Sequence, residues 1–336
     1  MVGRVGSKFS STREIYQELA KGNITAVEAI HALKVMQSSP ANVAVDRLES
    51  VPSDNAKEEL AKLIGLKNVK NLVREIEAFA KIQRVRQQLG LKSESLVLHM
   101  IFKGNPGTGK TTVARIFGQL FKELEVLNKG HVVEVERADL VGEYIGHTAQ
   151  RTREQVKKAV GGILFIDEAY SLARGGEKDF GKEAIDTLVK AMEDHKDEII
   201  LILAGYRREM EQFLRINPGL SSRFPIILDF PDYSLSELIQ IAELMLSQRE
   251  YSLTSSAQNC LFSLLKNLGD NYDENRGNAR LVRNIIERAI RQQAVRLVAS
   301  GPLNREKLQV ITEGDIKAAT EETSAQMFNR WQAERR

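Results

Sequence analysis

The stretch Gly104–Thr111 reads GNPGTGKT, fulfilling the pattern GxxxxGKT, and it stands between a strand-like run and a helix-like one. Upstream, Leu96-Val97-Leu98-His99-Met100-Ile101-Phe102 is a short apolar run of the kind that forms a buried parallel strand. Downstream, Val113 through Leu124 carries helical spacing. A glycine-rich turn between strand and helix aims successive backbone N–H groups, and the positive end of a helix dipole, at one point where a polyphosphate is held. Gly104, Gly107 and Gly109 let the backbone close in, with Asn105, Pro106 and Thr108 completing the cradle. Lys110 has the reach to bridge β- and γ-phosphates, and Thr111, with Thr112 beside it, offers a hydroxyl to Mg²⁺. An ordinary glycine turn is the plain alternative, and the flanking strand and helix argue against it.

A second element, Gly162-Ile163-Leu164-Phe165-Ile166-Asp167-Glu168, is an apolar strand ending in two acids roughly sixty residues beyond the loop. This is the Walker B arrangement. Asp167, expected at the carboxyl end of a strand beside the loop, would hold Mg²⁺ through water, and Glu168 would orient and deprotonate the attacking water.

A length of 336 residues suggests about two domains of roughly 150 residues. An apolar fraction of 42% suffices for a core, and a net charge of +3, from 48 basic and 45 acidic residues, gives no case for nucleic acid as a partner. The lone Cys260 cannot form an internal disulfide and sits in an apolar helical pattern, where it packs. Met1 to Arg13 has no apolar core of a signal peptide and no run approaches the ~20 residues that span a bilayer, so the expectation is a soluble, cytoplasmic protein without a membrane partner. The five histidines have no ligand spacing, leaving a nucleotide-borne Mg²⁺ as the expected metal.

Residues 1–57 read as an appendage: helices around Thr12–Ala20 and Ala26–Gln37, the second with a Thr25–Glu28 capping box, then a linker over Ser50–Asp54. So small a unit has little core of its own, and either docking or passive extension suits it. Residues 58–232 form the nucleotide-binding α/β domain, with further strands expected at His131–Glu136, Ile199–Ala204 and Ile226–Phe230, and a long amphipathic stretch over Val69–Leu89. Residues 233–336 are helical by periodicity, ending in a short extended piece at Leu308–Thr312 and a Thr-capped helix.

The runs LHMIFKGNPGTGKTTVARIFG, ERADLVGEYIGHTAQ, GGILFIDEAYSLARGGEKDFGKEAIDTLVKAMED and NPGLSSRFPIILDFPDY resemble the AAA+ ATPases of the branch that holds the red-type rubisco activases and stage V sporulation protein K, with wording nearer the sporulation members. The resemblance spans roughly residues 58–320. It implies a five-stranded parallel sheet flanked by helices, a small helical lid, ATP with Mg²⁺, and a homo-oligomeric ring, a hexamer, acting on a protein substrate. By the same resemblance, Ile64 and Gly65 cross the adenine face. Tyr144, Ile145 and Gly146 match a substrate-gripping pore loop, and Ser171–Gly181 a second one. Arg223 matches an arginine finger reaching a neighbour's γ-phosphate, and Arg280, in GNARLVRNII, a sensor directed at the nucleotide. Taken without the family, Tyr144 is a core or turn residue and Arg223 a surface charge. Where the family commonly has Asn or Thr after the fourth strand, this chain has Gly205-Tyr206-Arg207, so Tyr206 is only a candidate for that sensor.

Three functions stay open on the residues: an ATP-driven protein remodeller, a nucleotide-gated scaffold, and a nucleic-acid motor. The last lacks an appended basic, zinc or winged-helix module.

Overall fold

Four-residue runs such as Ile163–Ile166, apolar at every position and rich in β-branching, suit a strand buried on both faces, and the helices between them carry one apolar stripe each. In a computed structural model the described residues are 18, 21, 23, 25, 55–93, 96–144, 146–174, 179–271, 277–300 and 303–320. All but residue 18 of the helix expected at 12–20, the helix expected at 26–37, the Glu28 partner of Thr25 in the expected capping box, the linker over 50–54, Ile145 and the glycine-rich centre 175–178 lie outside them. Contacts group the chain into two units, one holding Leu72–Leu96, the other holding Ala56–Asn71 and Val97 onward. Sheet, lid and site all belong to the second.

Helices α1 (Asn55–Lys62) and α2 (Lys67–Gln88) precede β1 (Met100–Gly104). Then follow α3 (Lys110–Glu123), β2 (Val132–Val135), α4 (Arg137–Leu140), α5 (His147–Ala159), β3 (Ile163–Ile166) and a 3₁₀ turn at Ala169–Ala173. Helix α6 (Gly181–Asp194), β4 (Ile200–Gly205), α7 (Arg207–Ile216), α8 (Pro218–Ser221) and β5 (Ile226–Phe230) complete the α/β part. All five strands are parallel, in the order β2-β3-β4-β1-β5. On one face Val113, Ile116, Phe117, Leu120 and Phe121 of α3 recur at helical spacing and are buried, with Phe117 meeting Phe102 edge-on at 6.0 Å. On the other, Ile185, Leu188 and Met192 of α6 join Leu164, Leu201 and Leu203 in one cluster.

The strand before the loop differs from the sequence expectation. Leu96 and Val97 are exposed, and β1 starts only at Met100, where Ile202 and Ile226 begin to pair with it; it runs on through Gly104 opposite Phe230. A strand lasts as long as it has neighbours to bond, which its own residues do not record. The strand ending in Asp167 is also not the neighbour of β1, because β4 lies between them.

The lid consists of α9 (Leu235–Ser247), β6 (Ser252–Leu253), α10 (Ser255–Asn271), α11 (Asn278–Ala299), α12 (Arg305–Gln309) and β7 (Val310–Ile311), followed by helical residues 313–320. Its core of Ile241, Leu246, Leu261, Val282, Ile285 and Ile311 is separate from that under the sheet. Ser234 and Glu237 form a capping box that starts α9. The extended piece expected over 308–312 shrinks to Val310–Ile311, which pairs in parallel with Ser252–Leu253, because Leu308 and Gln309 finish α12. The buried Asp315 carboxylate ties this corner to Arg296 and to the Thr312 N–H, and those hydrogen bonds hold it below the usual carboxylate range against the opposing effect of burial.

His99, 3% exposed, accepts a hydrogen bond at Nδ1 from the Leu201 N–H at 3.1 Å, and burial pulls its pKa down to about 4. It is therefore neutral in the fold, whereas the unfolded chain takes up a proton near pH 6.5. The unfolded state binds more protons between these values, so stability present above pH 6.5 is lost as the pH falls toward 4. From pH 6.5 to 5 the expected loss at this group is about 2 kcal/mol. Denaturant unfolding across that range should show the loss, and the slope should flatten in His99→Gln; parallel profiles for the two proteins would refute the assignment.

Candidate functional site

At the carboxyl edge of the sheet β1 passes into the loop Asn105–Gly109 and then α3. Two loop glycines take left-handed backbone, Gly107 at φ 75° and Gly109 at φ 97°, the latter capping the helix. Thr108 Oγ1 donates to the Asn105 carbonyl at 2.8 Å and braces the turn. Gly104 packs hard against β5, where a Cβ would come 2.3 Å from the Phe230 oxygen. Lys110 Nζ donates to the carbonyls of Gly104 (2.8 Å) and Asn105 (2.9 Å), so the ammonium lies across the loop with its charge at the loop's centre. Burial lowers its pKa, against which the Asp167 carboxylate works.

The cleft over this loop is lined by Pro106, Gly107, Gly109, Lys110, Thr111 and Thr112 from one side, by Asp167 and Glu168 after β3, and by Gly205 and Tyr206 at the end of β4. The lid supplies Ala279, Arg280 and Arg283. Glu168 sits in left-handed backbone (φ 46°), unusual for a residue with a side chain, and its N–H takes the Asp167 Oδ1 at 2.9 Å. That hydrogen bond orients the Asp167 carboxylate at the turn that carries Glu168. Burial and the Glu168 charge raise the Tyr206 phenol above its ordinary value, so it is an O–H donor facing the same space. The Thr111 hydroxyl and the Asp167 carboxylate are hard oxygen donors on one cleft, a set that suits Mg²⁺.

Several expected residues fall elsewhere. Gly104, Asn105 and Thr108 shape the loop from behind rather than line the cleft. Ile64 packs against the lid core, and Gly65 (φ 68°) stands so near α9 that a Cβ would lie 2.6 Å from Glu237 Oε1; the next residue, Leu66, reaches toward Gly109. Arg223 does not line the cleft of its own chain: it pairs with Glu193 of α6 at 2.5 Å and donates to the Gly219 carbonyl at 2.9 Å. Tyr144 is 66% exposed, its ring edge-on to His147 at 5.4 Å, and Gly146 (φ 81°) caps α5 with open space where a Cβ would stand. The buried-core reading of Tyr144 is thereby excluded.

Sequence reasoning missed Arg283, Asp232, Tyr233 and Asn278. Arg283 follows Arg280 by three residues, one helical turn, so that spacing alone could have pointed to it. No local signal marks the other three, which act across long separations: Asp232 accepts from Asn105 Nδ2 and Asn278 Nδ2, and the Tyr233 hydroxyl donates to the Thr108 carbonyl.

Residues 100–232 match the family described as "ATPase family associated with various cellular activities (AAA)", and residues 234–326 the AAA lid domain. The chain is 55% identical over 264 residues to stage V sporulation protein K of Bacillus subtilis, covering 78% of this chain and 82% of that one. It is 45% identical over 289 residues to protein CbbX of Cereibacter sphaeroides (84% and 93% covered), and 44% over 252 residues to the chloroplastic ribulose bisphosphate carboxylase/oxygenase activase of Cyanidioschyzon merolae (75% and 85%). Among solved structures, a Thermotoga maritima RuvB mutant aligns with TM-score 0.52 at 22% identity over 78% of this chain and 71% of that one, a likeness of fold alone. With phosphate loop, Asp167–Glu168 pair and lid arginine converging on one cleft, and with family models matched over sheet and lid alike, this chain belongs to the AAA family of ATPases, among the relatives of stage V sporulation protein K, CbbX and rubisco activase.

Proposed function

We propose that this ATPase is a protein remodeller that works as a homo-oligomeric ring, a hexamer, gripping a polypeptide with Tyr144 on a loop at the central pore. The observation that carries this reading is Tyr144 itself: a large amphipathic ring, 66% exposed, on a loop that ends in a left-handed glycine with free space around it. A scaffold that only switches partners has no use for such a side chain, whereas a flat phenol packs on many residues without demanding a sequence. The relative named for sporulation supports a role in spore formation, and the proposal sets the protein in the cytoplasm, acting on a polypeptide rather than on nucleic acid. The 22–23% identity to the Holliday junction motor RuvB carries no DNA function across.

Within the cleft, the loop N–H groups and Lys110 hold the polyphosphate, while Ile64 and Gly65, outside its lining, flank the adenine. Thr111 and Asp167 would hold Mg²⁺, which neutralises phosphate charge when bound. Glu168 takes the proton from the attacking water, Tyr206 donates a hydrogen bond beside it, and Arg280 faces the γ-phosphate. Arg223, outside its own cleft, supplies charge to the neighbouring subunit's site.

Lys110→Ala should lose ATP affinity, while Glu168→Gln should keep affinity and lose hydrolysis by ~10²-fold or more, as removal of a general base does. Nucleotide titration beside steady-state turnover checks this, and equal binding loss in both variants would contradict the division of roles. Arg223→Ala should abolish hydrolysis with ATP binding intact, a finger in trans carrying ~10³ or more in rate. Mixed rings with Lys110→Ala subunits should regain activity; no recovery on mixing would count against action in trans.

Tyr144→Ala should leave the melting temperature, ATP binding and basal hydrolysis near those of the parent, since exposed substitutions change stability by only about 0.5 kcal/mol. Coupling should vanish, seen as substrate-stimulated turnover and remodelling of a bound protein. A variant that remodels normally would remove the gripping role from Tyr144, and a parent protein that binds a partner in an ATP-dependent way without remodelling it would leave the nucleotide-gated scaffold as the better account.

A further inference from the structure

We propose that Asn278 and Asp232 are positioning residues that tie the lid arginine Arg280 to the shape of the phosphate loop; the proposal rests on the reading of Arg280 as facing the γ-phosphate. Asn278 is 2% exposed and is the first residue of α11, yet its backbone is left-handed, at φ 44°. Strain of this kind in a residue with a side chain persists only where its surroundings over-determine it. Here they do. Asn278 Nδ2 donates to Asp232 Oδ1 at 2.8 Å and lies 3.3 Å from the Pro106 carbonyl, while its Oδ1 accepts from the Tyr233 N–H at 3.0 Å. Both functions of this buried amide are thus used.

Asp232 extends the chain of bonds to the loop, accepting from Asn105 Nδ2 at 3.0 and 3.1 Å. One residue after Asn278, the Ala279 N–H donates to the Gly107 carbonyl at 3.1 Å. A Cβ on Gly107 would stand 2.6 Å from the Gly277 carbonyl and 2.8 Å from the Arg280 N–H nitrogen, so the first turn of α11 lies directly on the loop. Asn105 is also the residue whose carbonyl holds Lys110 Nζ. A phosphate that draws Lys110 off that carbonyl therefore acts on the loop residue at one end of the bridge, and Arg280, two positions beyond Asn278, stands at the other. Backbone contacts alone would keep the helix near the loop. The amide and carboxylate fix its rotation, and with it the direction of the guanidinium.

Asn278→Gly is the informative variant, because it permits φ 44° without strain and removes only the amide. Compared with the parent enzyme, kcat should fall by on the order of 10–100-fold while the ATP Kd moves less than about threefold and the variant stays folded, its melting temperature lowered by the loss of the bonds to Tyr233 and Asp232. Asp232→Ala should do the same. The combination Asn278→Gly with Arg280→Ala should turn over no more slowly than Arg280→Ala alone, the non-additivity expected of residues that act as one unit. If Arg280→Ala is slow but Asn278→Gly turns over normally, or if the two losses multiply, the positioning role is overturned while the Arg280 reading stands. Normal turnover in Arg280→Ala overturns both.

Discussion

The parallel pairing of β1 with β5, closed until Gly104 lies against the Phe230 carbonyl, is the constraint from which the site follows. Parallel strands run out at the same edge, so the residues just past their ends are delivered side by side although far apart in sequence. Past Gly104 comes the phosphate loop; past Phe230 come Asp232 and Tyr233, which bond to Asn105 and Thr108 and open the lid. A side chain at position 104 would force the strands apart at the place where these two segments must touch. The lid is thus joined to the loop by the sheet itself, before any ligand bridges them.

Electrostatics sharpen the same geometry. Lys110 is half-buried and its ammonium is satisfied by two loop carbonyls, with Asp167 acting favourably across the cleft and Arg280 unfavourably. A polyphosphate entering this space removes the repulsion between the two cations and gives the loop N–H groups a charged acceptor, which in a partly desolvated cleft is a strong interaction. The paired acids Asp167 and Glu168 sit across from these cations, held at a strained turn that the buried β3 can support.

Much of this was legible in the chain. GNPGTGKT and ILFIDE carry their chemistry in contiguous residues, because a phosphate loop is a backbone feature and a Walker B acid needs only a buried strand before it. The parallel sheet, the helical lid and the family likewise followed from pattern and resemblance. What was misplaced had no local signature: where β1 begins and how short β7 is; nor does any local signal give the strand order that sets β4 between β1 and β3. Each depends on which partner is present to accept a hydrogen bond.

Asp232 and Asn278 carry no local signature in the chain, and with Asn105 of the phosphate loop they become a connected bridge only in space, at sequence separations of 127 and 46. The sequence by itself determined that this chain folds around a nucleotide grip, since apolar periodicity and glycine placement specify strand, loop and helix through short-range forces. Tertiary structure alone decided that Lys110 rests on its own loop, that Arg223 turns to Glu193 rather than to its own cleft, that Tyr144 stands in the open, and that Asn278 is bent into left-handed backbone to hold the lid. Those outcomes are set by strand order and by the competition of distant groups for each hydrogen bond, quantities that exist only once the chain has closed on itself.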